Sequence, residues 1–409
     1  MLKAKLLSIK DSLILVVLAL GIGLVVGALD FVFGSVLLLV SDFRTEHLTI
    51  LLPFLAGAGL LTVFLYHKFG GKASKGMSLI FLVSQGKEKE IPLVLIPLIM
   101  FSTWMTHLFG GSAGREGVAV QLGATVSHYC HSWLKVENSS RIFLAIGMAA
   151  GFAGLFQTPL AAIFFAFEVL AMTHFAFFAL FIPVAVAAYT ASTISHALGL
   201  EKFSFIIKET VALSPIMIGK LVLLGLIFGL AGNLFAYTLG KAKTFFSEKL
   251  SNPYQKVLVL GIVVTVLVFV LHSGRYSGLG TNLINMSFSG ETIYSYDWFL
   301  KIMLTVLTIA AGYQGGEVTP LFSIGASLGA LIAPLFGLPV FLVAALGYSA
   351  VFASATNTYL ASVFIGYEVF GSENMISFLI VVLIATLLNQ KHSIYANQEL
   401  LEAKNKFHI

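Results

Sequence analysis

The sequence predicts an all-α integral membrane protein made of two related halves, and three observations carry that reading. The first is composition. Of 409 residues, 58% are hydrophobic and 11% are charged, with a mean hydropathy of +0.95, whereas soluble domains carry about 25% charged residues. The second is a series of apolar runs of the length a bilayer demands, about 20 residues per spanning helix. The third is an internal repeat, which argues for two facing halves with a site between them. A net charge of +5 does not point to nucleic acid. The basic residues fall in short clusters between apolar runs, at Lys3, Lys5 and Lys10, at Lys68, Lys72 and Lys75, and at Lys241, Lys243 and Lys249. That is the distribution of cytoplasmic loops under the positive-inside rule.

Taken in order, residues 1–11 read as a cytoplasmic N-terminal segment. The apolar run from Leu13 to Leu39, interrupted only by Asp30, is too long for a signal peptide and long enough to span with tilt. Asp30 is expected to snorkel or to be paired. Further spans are expected at 48–67, 91–109, 174–198, 215–238, 255–272, 298–313 and 375–389. Between them lie shorter, glycine-interrupted segments at 76–85, 116–130, 142–156, 158–172, 318–335 and 340–370, the pattern of discontinuous helices that build transport sites. Residues 12–396 are thus one transmembrane transport domain, with halves at roughly 12–200 and 213–396, and 397–409 form a cytoplasmic tail. Cys130, the single cysteine, excludes an intramolecular disulfide and reads as a buried structural thiol.

The repeat is explicit. Residues 145–169, AIGMAAGFAGLFQTPLAAIFFAFEV, align without gaps on residues 345–369, ALGYSAVFASATNTYLASVFIGYEV, with 11 of 25 positions identical at an offset of 200. Apolar composition inflates that number, but the matches Thr158/Thr358 and Glu168/Glu368 are harder to assign to chance. Glu168 and Glu368 read as symmetric structural acids near helix ends. Upstream of each copy stands a Gly-X-Glu segment, around Glu116 and around Glu317.

GSAGREGVAVQLGA, residues 111–124, is a glycine-rich turn opening a helix. An ionised residue at membrane depth costs on the order of 2.5–3.5 kcal/mol and marks a functional site by default. A helix N-terminus presents unpaired N–H groups and a partial positive charge, which together bind anions. Glu116 therefore reads as a built-in anion, able to occupy the site of a dissolved one and to take up a proton. Its simpler reading, a carboxylate capping a helix, is worth about 0.3–1 kcal/mol. No nucleotide fingerprint, nucleophile elbow or zincin pattern is present, so the sequence offers no residues for an enzyme, and no cofactor is implied. His128 and His131 have helical spacing, but two histidines do not make a metal site; the histidines at 107, 174 and 196 show no ligand pattern either.

GSAGREGV followed by VQLGA, then FQTPLAAIFFAFE, GGEVTPLFSIGA and the late tyrosine of SIYANQEL resemble the CLC family of anion channels and proton-coupled anion exchangers over roughly residues 12–396. The resemblance implies a CLC-type fold with two inverted-topology halves, a homodimer with one pore per subunit, and both termini cytoplasmic in a bacterial inner membrane. It implies that Glu116 is the gating carboxylate and that Tyr395 lines the central anion site. The departures from the chloride-type pattern matter as much. Met77 stands in KGMSLI where the family usually has serine, Val118 follows Arg115-Glu116-Gly117, and Glu317 and Val318 precede Thr319-Pro320. The inner acid usual in chloride/proton exchangers is replaced by Val169. Together these resemble the branch that exports fluoride in exchange for protons, with a chloride-type exchanger or passive channel as the alternative.

On that basis Glu116 and Glu317 are expected to carry protons, and Met77, Tyr395, Gly117, Val118 and Val318 to surround the anion. Arg115, Thr319, Phe81, Phe322 and Gly76 are expected to support them. Glu317 is read as facing Glu116 across the pseudo-symmetry, either supplying the proton carrier missing at Val169 or sitting in a structural pair with the Thr319 hydroxyl. Arg115 reads as a partner for backbone carbonyls or a nearby acid. Phe81 and Phe322 could turn ring edges to an anion, although ordinary packing is the simpler role. The expected partners are fluoride, with chloride as the alternative, protons and membrane lipid.

Overall fold

The computed structural model describes residues 8–134, 136–172, 174–389 and 391–399. Lys3, Lys5 and residues 400–409, part of the two expected terminal segments, lie outside the described residues. The first half runs through α1 (Ile9–Leu51), α2 (Leu55–Leu65), α3 (Met77–Ser84), α4 (Leu95–Leu108), α5 (Glu116–Tyr129), α6 (Ser139–Phe156), α7 (Pro159–Val169) and α8 (His174–Ala197). The second runs through α9 (Pro215–Lys249), α10 (Pro253–Val270), α11 (Thr281–Ser289), α12 (Asp297–Ala311), α13 (Val318–Phe336), α14 (Val340–Thr356), α15 (Leu360–Phe370) and α16 (Met375–Leu388). Six helical stretches among the described residues are long and apolar enough to cross a membrane.

Several boundaries differ from the sequence expectation. The two runs 13–39 and 48–67 are joined, because α1 continues for 43 residues and only kinks at His47. Ser8 starts it by accepting the Asp11 N–H at 3.1 Å. The Lys241, Lys243 and Lys249 cluster sits on the last turns of α9 instead of in a loop; no proline interrupts the chain between Pro215 and Pro253, and lysine is a good helix former. Helix α11 was absent from the expected spans because it has nine residues and a polar face. Asp30 neither snorkels nor pairs: it is fully buried against Gly154, and neither oxygen has a hydrogen-bond partner among the described residues.

The repeat reappears as backbone geometry. Gln157 between α6 and α7 and Asn357 between α14 and α15 are both left-handed, with φ of 57° and 56°, so the segment 340–370 divides as its partner does. Glu168 and Glu368 then close the two halves on each other. Glu168, in the last turn of α7, accepts the N–H groups of Tyr359, Leu360 and Ala361 at 3.0, 2.8 and 3.0 Å. Glu368, in the last turn of α15, accepts those of Leu160 and Ala161 at 3.0 and 2.9 Å. The two acids do not meet; each neutralises the N-terminus of the other half's helix, satisfying N–H groups that the apolar surroundings would leave unpaired.

Close packing is set by glycine. Helix α5 crosses α6 with Gly123 on Gly147, and α13 crosses α14 with Gly325 on Gly347; a methyl on any of the four would run into the opposing carbonyl oxygen. Small residues at such crossings let membrane helices approach backbone to backbone. We expect Gly325→Ala to lower stability by about 1–3 kcal/mol through overpacking. Gly219→Ala on α9, where an added methyl meets nothing within 4 Å, should instead be neutral or slightly stabilising. Thermal melting of the detergent-solubilised variants checks this, and equal melting temperatures would contradict the crossing as described.

Candidate functional site

Helices α5 and α13 point their N-termini at each other in the middle of the molecule. The turns before them are joined by an antiparallel bridge between Gly114 and Gly316. The Gly114 N–H donates to Gly316 O at 2.5 Å and the Gly316 N–H to Gly114 O at 2.7 Å. Only glycine fits, since a Cβ on Gly114 would lie 2.8 Å from the Pro320 ring and one on Gly316 2.9 Å from the Gly117 nitrogen. The turn before α5 is held from outside by buried polar groups. Lys301 Nζ donates to Ser112 Oγ at 2.9 Å and to Gly278 O at 2.7 Å. Ser112 N–H donates to Thr308 Oγ1 at 3.2 Å, and His107 Nε2 meets Ala113 O at 3.0 Å.

The Glu116 side chain, 1% exposed, crosses to the other half. Its Oε2 accepts the Thr319 N–H at 3.1 Å and the Thr319 hydroxyl at 2.5 Å. It also accepts the Arg115 N–H at 3.4 Å, while Oε1 lies 3.7 Å from Arg115 Nε. A carboxylate of one half thus occupies the anion position at the helix N-terminus of the other. Of the two roles open to Glu317, the structural pair with the Thr319 hydroxyl is not formed: that hydroxyl serves Glu116. This follows from register: the bridge pairs Gly114 with Gly316 and the helices open at Glu116 and Val318. Counted from the bridge, Glu116 therefore matches Val318, and Glu317 matches Arg115.

Glu317, read from sequence as the opposite number of Glu116, is accordingly placed elsewhere. Its Oε1 lies 3.6 Å from Lys243 Nζ on α9, with side-chain exposures of 13% and 43%. Its Oε2 stays near the α5 terminus, 3.8 Å from where a Cβ on Gly117 would be. Lys243 was not singled out in the sequence, where it looked like one of three loop lysines; only the fold brings α9 beside Glu317.

Met77 is the first residue of α3, preceded by left-handed Gly76 with φ of 52°, and it is partly buried against the core. Gly76 faces α5, since a Cβ there would sit 3.5 Å from Gln121 Oε1. Tyr395 comes from the segment after α16, threaded between α3 and α14. Gln85 Nε2 donates to Asn397 O at 2.7 Å, Ile394 N–H to Ala355 O at 3.0 Å, and Asn357 Nδ2 to His392 O at 2.7 Å. The Tyr395 ring lies 5.8 Å from that of Phe81 and 6.2 Å from Phe165. Its buried hydroxyl has no hydrogen-bond partner among the described residues, and neither do Arg115 Nε and Nη1. Buried donors are normally satisfied, so these groups mark a place for an acceptor. Val118 and Val318 are buried at the two helix starts. Phe322 packs flat on Tyr348 at 4.0 Å and on Phe156 at 5.2 Å. Tyr348, which nothing in the sequence flagged, faces Glu116 and Arg115 electrostatically. Before α3, Lys72 and Lys75 both bind Glu88 at 2.8 Å and hold its carboxyl at about 2, well below the usual carboxylate range.

Comparison with known proteins agrees with this geometry. Residues 58–390 match the family model described as voltage gated chloride channel. The chain is 37% identical over 323 residues to a chloride/fluoride channel protein of Pseudomonas syringae pv. tomato, covering 77% of this chain and 71% of the relative. It is 25% identical over 398 residues to the H(+)/Cl(-) exchange transporter ClcA of Vibrio cholerae, covering 91% and 85%. Among solved structures, a CLC-type fluoride/proton antiporter superposes with a TM-score of 0.94 at 50% identity, over 96% of this chain and 99% of that one. A slow cyanobacterial Cl-/H+ antiporter shares the fold at a TM-score of 0.79 and 21% identity, over 92% and 94%. A multi-pass membrane chain with this repeat, this bridge and these relatives is a member of the voltage-gated chloride channel (CLC) family.

Proposed function

We propose that the protein exports fluoride from the cytoplasm in exchange for protons. One observation carries this reading: the Glu116 carboxylate accepts hydrogen bonds from the α13 N-terminus through Thr319, in the manner a fluoride ion would. Ionised, Glu116 fills that place. Protonated, it loses the charge that holds it, and Thr319 N–H is left seeking an acceptor, at a cost of about 1–3 kcal/mol if none arrives. Fluoride is small and strongly hydrated, and the N–H groups of the two helix ends, with the Tyr395 hydroxyl, replace part of its water. Gly117, Val118, Val318 and Met77 complete the lining, with Gly76, Arg115, Thr319, Phe81 and Phe322 supporting it. Val169 offers no second acid, and Glu168 is engaged with α15, so the proton route runs through Glu116 and Glu317. The 50% identity to a fluoride/proton antiporter structure supports the choice of anion over the chloride alternative.

The same reading places a homodimer in a bacterial inner membrane, with both termini cytoplasmic and residues 12–396 as the transport unit. Exposed apolar side chains on α8 and α16, among them Phe178, Ile182, Ile376 and Leu383, suit a lipid-covered or subunit-facing surface.

Two outcomes are expected in proteoliposomes. Glu116→Gln should abolish fluoride-driven proton movement, read with a pH dye beside a fluoride electrode; coupled exchange at the wild-type rate would exclude Glu116 as the gate. Met77→Ser should lower the fluoride-to-chloride flux ratio about tenfold, equivalent to about 1.4 kcal/mol, and an unchanged ratio would make Met77 incidental to selectivity.

A further inference from the structure

We propose that Lys243 is the positioning residue for proton release: its ammonium, reaching from α9 to Glu317, stabilises the carboxylate that forms when a proton arriving there passes on to water. The proposal rests on the antiport reading above. Its geometry is independent of Glu116. Lys243 Nζ lies 3.6 Å from Glu317 Oε1, and the lysine is 43% exposed while the glutamate side chain is 13% exposed. A loose pair with one partner in solvent adds little to folding, so stability does not account for it. The two neighbouring lysines behave differently: Lys241 lies over the Tyr237 ring at 5.8 Å, and Lys249 ends α9. Among the described residues, Lys243 is the cation in ion-pair contact with Glu317.

Charged and titratable groups surround Glu317 from three elements. The α5 turn brings Glu116 and Arg115, whose Nε is turned toward Glu116 Oε1 at 3.7 Å. The C-terminal segment brings Tyr395, which faces both glutamates electrostatically. Helix α9 brings Lys243. Glu116 and Glu317 stand on the facing turns that open α5 and α13, and the direction in which a proton leaves Glu317 is set by what stands beside it on the exposed side. Lys243 supplies that direction from the exposed side. The O–H bond of protonated Glu317 breaks, the proton joins a water molecule on the exposed side of Lys243, and the carboxylate left behind stands next to the ammonium. Removal of Lys243 makes Glu317 hold its proton to higher pH.

The test is fluoride-driven proton uptake measured against pH in proteoliposomes, for wild type, Lys243→Met, Lys243→Gln, Lys243→Arg, Glu317→Gln and Lys243→Met/Glu317→Gln, each checked for monodisperse elution. Lys243→Met and Lys243→Gln should move the pH midpoint upward by about one unit, the tenfold change that a partly solvated pair at this distance supports. Lys243→Arg should follow the wild-type curve. Where Glu317→Gln retains residual uptake, adding Lys243→Met should not shift its curve; where Glu317→Gln abolishes uptake, the comparison of the Met, Gln and Arg variants decides. A Lys243→Met curve that overlies wild type, or one that Lys243→Arg fails to restore, would overturn the role of Lys243 and leave the antiport reading standing. Wild-type protein that moves fluoride without protons would remove both.

Discussion

The structure depends on two helix N-termini facing each other in a medium without water. Each carries about half a positive charge and unpaired N–H groups, and facing ends repel unless an anion lies between them. The Gly114–Gly316 bridge fixes their separation, and the Glu116 carboxylate supplies the anion through Thr319. On the antiport reading proposed above, the same place takes the side chain when it is ionised and a dissolved ion when it is protonated, so that binding site and gate are one electrostatic requirement met in two ways.

The surrounding protein repeats the same device where no exchange is needed. Glu168 and Glu368 neutralise the N-termini of α15 and α7 across the two halves. These acids each meet two or three backbone N–H groups. Glu116 differs in having a single residue, Thr319, as its main partner, with an arginine and a second acid close by. The glycine crossings at Gly123 on Gly147 and Gly325 on Gly347 hold α5 and α13 rigidly enough for that difference to matter.

Much of this was legible beforehand. Composition gave a membrane protein, the 200-residue offset gave two halves, and the glycines around Arg115-Glu116 gave a carboxylate at a helix start, because each of these depends on residue types at fixed local spacing. The segments 142–156 and 158–172 already part at Gln157, whereas the break at Asn357 within 340–370 is not legible, since Asn357 is neither glycine nor proline. Roles that depend on which helix lies opposite are not legible: the sequence leaves open whether Thr319 serves Glu317, and it groups Lys243 with the loop lysines. A gapped offset explains why Glu317 reads as the counterpart of Glu116, because the turns before α5 and α13 are related by 202 positions while the later repeat is related by 200.

The sequence by itself determined the membrane environment, the doubled architecture and the carboxylate at a helix start, all consequences of hydropathy, repetition and local backbone chemistry. Only the tertiary structure decided the partners: Glu116 with Thr319, Glu317 with Lys243, Tyr395 beside Phe81. Those pairs join residues far apart in the chain, and which side chains meet is set by the packing of helices that local sequence spacing does not specify.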